Sequence, residues 1–220
     1  MEQQNKLKES TLRFFHDLFD LLVVNCLWLL CCLPVVTIGP AACGMYTVTL
    51  KLAREEPVNP LKDFIRGMKR NFKAGVLLEL IVALLMILVA GDLWLAVRQS
   101  GGIQILYLAL ALFTGMLCLT VISYGFALQA MFEAPLKTQL INALKLAVIA
   151  PGKTILLWLI LTVPVTAALT IQPEILALLG FLYLICGFSG PAYGASCILR
   201  NIFDRVNGTP NEDVPPTTEK

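Results

Sequence analysis

The sequence is poor in the residues that most enzyme sites need. It has one histidine, His16, and seven cysteines that are scattered without a Cys-x-x-Cys pair. Metal and thiol chemistry usually use such donors in clusters. The sequence also shows no glycine-rich phosphate loop and no serine, cysteine or threonine beside a plausible base. We therefore expect no catalytic residue, cofactor or metal, and interpret the cysteines as small packing residues.

Charge is also scarce. Charged residues make up 15% of the chain and hydrophobic residues 57%, and the mean hydropathy is +0.76. A soluble domain of 220 residues needs more polar surface than this. The composition therefore predicts an integral membrane protein in contact with the lipid bilayer. The net charge of +2 gives no reason to expect nucleic acid as a partner.

Apolar residues occur in about six helix-length segments. These segments are Leu18–Val36, Pro40–Ala53, Gly75–Val97, Ile103–Met131, Thr154–Ile171 and Ile175–Leu199. A helix needs about 20 residues to cross the hydrocarbon, so the second segment is short. It either crosses with a thin outer end or is re-entrant and buried against its neighbours. The prediction is an all-α, polytopic membrane bundle of six spans in three hairpins, or five spans plus a re-entrant helix.

Positive charge predicts the orientation of this bundle. Sixteen of the 17 Lys and Arg residues fall on one side of the predicted spans, and only Arg98 falls on the other. The positive-inside rule makes the basic side cytoplasmic and places both termini there. The outer loops are then Pro34–Gly39, Arg98–Gly102 and Gln172–Glu174. Acidic residues near the start of the first segment favour a permanent span over a cleaved signal peptide.

Basic amphipathic linkers join the predicted hairpins. Between residues 59 and 73, apolar residues recur at helical spacing and cations occupy the other side. The cations of this basic elbow are Lys62, Arg66, Lys69, Arg70 and Lys73, and a weaker elbow covers residues 133–153. Either elbow anchors the protein at anionic headgroups or docks a cytoplasmic partner. The transmembrane domain is expected to span residues 1–206, and the polar tail, residues 207–220, to be disordered.

Glycine and proline mark positions where helices are expected to meet. A Gly-Pro-Ala sequence opens the second segment at Gly39 and recurs at Gly190 inside the last, a weak internal repeat. Small-residue surfaces of this kind let helix backbones approach each other or a partner protein. The candidate contact residues are Pro34, Gly39, Pro40, Gly44, Gly190, Pro191 and Gly194.

Asn25 and Glu79 are the candidate intramembrane polar residues, because an unpaired polar group within a span is costly. Asn25 is expected to hydrogen-bond to a neighbouring helix. Glu79 is the most deeply placed carboxylate and is expected to pair with Lys51 or Lys73. If Glu79 were unpaired, it would point to a transport role.

Several short motifs resemble the YesL family of bacterial membrane proteins. They are F-F-x-x-L-F-D at Phe14–Asp20, N-C-L-W at Asn25–Trp28, L-P-V-V-T-I-G-P-A at Leu33–Ala41 and K-R-N-F-K at Lys69–Lys73. The resemblance implies a plasma-membrane protein of a Gram-positive bacterium. It also implies a non-catalytic accessory subunit of an ABC-type oligosaccharide importer, in contact with the permease subunits. The alternative function is an independent small secondary transporter or channel.

Overall fold

The computed structural model describes residues 2–132, 134–170 and 187–207, and every regular element within them is helical. The helices are α1 (Glu2–Cys31), α2 (Ile38–Ala53), α3 (Pro60–Arg70), α4 (Phe72–Arg98), α5 (Gly102–Thr120), α6 (Phe126–Met131), α7 (Leu136–Ile149), α8 (Pro151–Thr170) and α9 (Ser189–Asn207). A 3-10 turn, Val35–Thr37, precedes α2, and a π-helical turn, Val121–Gly125, joins α5 to α6. The predicted all-α class is confirmed.

Fewer helices than expected qualify as membrane spans. In the described residues, three helical stretches are long and apolar enough to cross a bilayer: Val35–Ala53, Phe72–Arg98 and Gly102–Met131. The bent pair α7 and α8 adds a fourth if it counts as one span. A multi-pass helical protein is therefore confirmed, whereas six spans are not.

Helix α2 forms the centre of the bundle. It contacts α1, α3, α4, α6 and α9, and 67% of its apolar stretch is buried in protein. Small residues such as Ala41, Cys43 and Gly44 make this possible, because they let several neighbours approach the helix axis. Pro40 is tolerated because it lies in the first helical turn. By contrast, the α4 and α5–α6 stretches are only 11% and 22% buried.

The start of α2 lies against the base of α4. A Cβ atom added to Gly75 would lie 2.7 Å from the backbone nitrogen of Pro40, so the two backbones touch there. At about 1.5 Å per residue, Arg98 is about 34 Å further along α4. The bend before α2 therefore lies near the basic end of α4. The prediction that Pro34–Gly39 forms an outer loop beside Arg98 is wrong, and the re-entrant alternative for the second segment fits this placement.

The last helix differs from its prediction. The sequence suggested one helix over Ile175–Leu199, but a turn at Gly187 and Phe188 precedes α9, which then continues to Asn207. The second Gly-Pro-Ala sequence thus lies in the first turn of a helix, where proline costs no hydrogen bond. The rest of that predicted segment, residues 171–186, and most of the predicted tail, residues 208–220, lie outside the described residues.

A sharp corner follows the α5–α6 span. Helices α7 and α8 meet at Pro151 and differ in direction by 108°. The corner is fastened by Tyr124, a fully buried residue of the π-helical turn, whose hydroxyl lies 2.8 Å from the Thr154 hydroxyl. A π-turn inserts an extra residue per turn and so displaces the side chains that follow it. Helix α7 corresponds to the weaker elbow predicted at residues 133–153.

Candidate functional site

Glu79 accepts a hydrogen bond from the start of α2. Its Oε2 atom lies 3.0 Å from the backbone nitrogen of Gly39. The first backbone N–H groups of a helix have no partner within the helix and carry partial positive charge, so a carboxylate stabilises them. Pairing of Glu79 with Lys51 or Lys73 was expected, but Lys51 binds Asp63 and Glu79 accepts from a backbone N–H group. The deep carboxylate of α4 thus caps α2 from a neighbouring helix.

Asn25 performs the same task for α9. Its Oδ1 atom accepts hydrogen bonds from the backbone N–H groups of Phe188 and Ser189, at 3.1 and 3.2 Å. One turn further along α1, the rings of Trp28 and Phe188 are stacked with centroids 4.2 Å apart. The cross-helix hydrogen bond predicted for Asn25 is present. Both helices that open with Gly-Pro-Ala therefore receive a cap from another helix.

The glycines of α2 and its neighbours form close backbone contacts. A Cβ atom on Gly39 would collide with the carbonyl oxygen of Gly75, and one on Gly44 would lie 2.8 Å from the carbonyl oxygen of Phe64. Gly67 of α3 packs on the side chain of Thr47 in α2. These contacts occur inside the bundle, so this surface of α2 is unavailable to another protein.

The other candidate contact residues are less enclosed. Pro34 is exposed, and Gly190 has open space where a side chain would project. A Cβ atom added to Gly194 would lie 3.9 Å from the Ile160 side chain of α8, and Pro191 is half-buried. Helix α9 packs on α2 through a different pair, Thr49 and Ser196, whose hydroxyl oxygens are 2.8 Å apart in the core.

The basic elbow comprises helix α3 and the first residues of α4, and an ion pair joins it to α2. Lys51 Nζ lies 3.2 Å from Asp63 Oδ1, and the other carboxylate oxygen accepts the N–H of Asn59, the N-cap residue of α3. Burial raises the pKa of Asp63, but the Asn59 N–H and the Lys51 and Arg66 charges outweigh it, so the pKa lies below its ordinary value. Asp63 therefore stays ionised and fastens the elbow.

The faces of α3 differ in part from the prediction. Phe64 is fully buried and Met68 half-buried, because both pack on α2 and not toward lipid. Leu61, Ile65 and Phe72 remain exposed. Four cations, Lys62, Arg66, Lys69 and Lys73, are exposed beside them, and exposed Arg70 donates to the carbonyl oxygen of Ala130 in α6. The exposed surface of the elbow is thus both apolar and basic.

A buried amide pair that sequence reasoning missed joins the elbow to α6. Gln129 Nε2 donates to Asn71 Oδ1 at 3.2 Å, and Asn71 Nδ2 donates to the Gly67 carbonyl at 3.0 Å. Both side chains are almost fully buried. Their polarity inside apolar surroundings was the available signal, since buried amides normally find partners.

Donors for metal or thiol chemistry are sparse in the described part of the chain. No group of three or more His, Cys, Asp or Glu side chains in this part of the chain is able to hold a metal ion. Six of the seven cysteines are described, and each is a free thiol. Cys186 lies outside the described residues.

The long apolar helices and their tightly packed bends define a multi-pass helical membrane protein. Residues 21–93 match the family described as "Protein of unknown function, DUF624", which corresponds to the YesL-like membrane proteins. The matched segment is less than half of the chain; it begins in α1, includes α2 and α3 and reaches into α4, and over this segment the chain is similar to that family. No curated protein and no solved structure matches the chain.

Proposed function

We propose that this protein is a non-catalytic accessory subunit of an ABC-type oligosaccharide importer in the plasma membrane. The family resemblance supports the association with an importer. The positive-inside rule supports an orientation with both termini and the basic elbow in the cytoplasm. The proposal treats the ionisable groups Glu79 and Asp63 as structural, because each already holds a backbone N–H group in place.

The observation that carries the proposal is the exposure of the α4–α5 hairpin. Only 11% of the α4 span is buried in protein, in contrast to 67% of the α2 stretch. Gly91 on α4 and Gly115 on α5 have no atom within 4 Å of where a Cβ would lie. Small residues on an open apolar face allow a second helix to approach closely. We therefore assign this face to the permease subunits.

A pull-down with matched variants tests the proposal. The tagged protein is solubilised in mild detergent from its native host grown on plant polysaccharide, and the co-purifying proteins are identified by mass spectrometry. We expect permease and ATPase subunits in a fixed ratio. Gly91→Trp and Gly115→Trp should abolish co-purification, while Leu61→Ala on the elbow should preserve it.

The rival function is an independent transporter or channel, and the same material distinguishes it. A protein that purifies alone from the host, and that moves solute across reconstituted vesicles without ATP, would overturn the accessory-subunit proposal. Glu79→Gln would then be the first variant to test for lost flux, because Glu79 is the deepest carboxylate of α4.

A further inference from the structure

A cavity of about 690 Å³ opens at the end of the bundle where α2 ends. Its walls come from α1, from the turn after α2 and from α9, none of which belongs to the α4–α5 face. The polar side chains lining it are His16, Asp17, Asp20, Glu55, Glu56 and Arg200. Among the described side chains, four carboxylates therefore share this cavity with one guanidinium group and one imidazole.

Asp20 lies at the buried wall of the cavity, and one oxygen of its carboxylate has no hydrogen-bond partner. Its side chain is only 5% exposed, and its Oδ2 atom accepts no hydrogen bond from the described part of the chain. Nδ1 of the exposed His16 lies 3.3 Å from that oxygen. The two side chains form an ion pair only when the imidazole is protonated. A buried carboxylate oxygen normally has a hydrogen-bond donor, because burying it without one is costly. Apart from the nearby His16 imidazole, the described lining residues offer this oxygen no donor, and it is left without a hydrogen bond.

The remaining wall residues suit a nitrogen cation. Arg200 is held at the wall by donation to the Ala53 carbonyl, and Tyr193 contributes an aromatic ring, which attracts cations. Glu55 adopts a left-handed backbone conformation, φ 57°, which side chains rarely accept. The cavity is too roomy for a bare ion, and its acidic groups form no set of three metal donors within the described residues.

We propose that this cavity binds an ammonium or guanidinium group, whose N–H donors satisfy Asp20 while the surrounding carboxylates balance its charge. The group comes either from a free polyamine or from a lysine or arginine side chain of a partner protein. This inference does not depend on the importer proposal, since the cavity and the α4–α5 face are separate surfaces.

The test measures thermal unfolding of the purified full-length protein in detergent with added cations. We expect spermidine or a lysine-rich peptide to raise the unfolding midpoint, because a ligand that binds only the folded state stabilises it. If only spermidine raises the midpoint, the natural ligand is a free polyamine. If only the peptide raises it, the ligand is a side chain of a partner protein. Tetramethylammonium at equal ionic strength should have no effect, because it has no N–H donor.

Three variants make the test specific. Asp20→Asn keeps the side-chain shape and removes the charge, and we expect the apparent dissociation constant to rise by about tenfold or more, as for a lost charge-assisted hydrogen bond. Glu55→Gly removes a carboxylate at a position where glycine suits the backbone, and should also weaken binding. Asp92→Asn, on α4, is the matched control and should leave binding unchanged.

Three results would overturn the proposal. The first is the absence of a shift with both amines. The second is an equal shift in the wild type and in both Asp20→Asn and Glu55→Gly. The third is a shift produced by Mg²⁺ but by neither amine and lost in Asp20→Asn, which would make the cavity a divalent-cation site instead.

Discussion

The carboxylate of Glu79 lies 3.0 Å from the backbone nitrogen of Gly39, across the boundary between α4 and α2. This contact joins the only carboxylate in the first half of the α4 span to the first turn of the most buried helix. It also explains how a charged group is accommodated at that depth, because its charge faces the positive end of a helix.

Glu79→Ala should therefore destabilise the protein by about 1 kcal/mol, the usual cost of removing a helix cap. Glu79→Gln keeps an acceptor oxygen and should cost less. The midpoint of thermal unfolding in detergent measures both. If Glu79→Ala left the midpoint unchanged, the cap would contribute nothing to stability.

Gly39→Ala and Gly75→Ala should both disrupt the bundle, because each added methyl group would overlap the facing backbone. Gly91→Ala and Gly115→Ala are matched controls with open space at the same atom. These controls should be neutral or slightly stabilising, since alanine favours helix over glycine by about 1 kcal/mol. The yield of monodisperse protein on size-exclusion chromatography distinguishes the two pairs.

Asp63→Asn should lower stability by about 1–2 kcal/mol at pH 7, because the Lys51 charge loses its partner. The pKa of Asp63 is lower in the folded state than in the unfolded chain, so its contribution is present above the ordinary pKa of about 3.9. It is lost as the pH falls through the folded-state pKa. The difference in unfolding midpoint between wild type and Asp63→Asn should therefore shrink below about pH 4. A difference that stays constant to pH 3 would contradict this account.

Asn25→Ala should weaken the attachment of α9 by about 1–2 kcal/mol, because two backbone N–H groups lose their acceptor. Asn25→Asp keeps the oxygen and should retain more stability. Limited proteolysis after Arg200 is the sensitive readout, since α9 should separate from the bundle before the other helices do. Equal cleavage rates in the wild type and in Asn25→Ala would speak against the cap.

The bend before α2 and the α4–α5 loop should lie at opposite depths. In a variant without native cysteines, Ser100→Cys should react with a membrane-impermeant thiol reagent added outside intact cells. Val36→Cys should not react, although Val36 is 59% exposed in the bundle. Equal labelling of both positions would support the sequence-based prediction that Pro34–Gly39 is an outer loop.

The sequence predicted the helices well because apolar runs, prolines and glycines act locally. It placed the start of α2 at Gly39 and Pro40, and the basic elbow close to the range of α3. It also identified Asn25 and Glu79 as polar groups that need partners. Which backbone N–H each one meets depends on long-range packing, which no local pattern specifies.

The main error of the sequence-based prediction was the depth of the bend before α2 in the membrane, and this error has a physical cause. Helices α2 and α4 both qualify as possible spans by length and composition, although α4 is the more apolar, so composition alone does not specify which of them is buried in protein. The difference emerges only from contacts such as that of Gly75 with Pro40. The amphipathic pattern of α3 was misassigned for the same reason, because Phe64 faces Gly44 and not lipid.

The cap that Asn25 places on α9 also has a consequence for biogenesis. The donors Phe188 and Ser189 follow Asn25 by 163 and 164 residues in the sequence, so the acceptor is synthesised long before the donors. Contacts between distant residues form late, because the intervening chain must first be ordered. The surface of α1 that binds α9 should therefore remain unoccupied until the ribosome releases the last helix. In a truncated chain that ends before Phe188, that surface around Asn25 would stay exposed to membrane quality-control proteases.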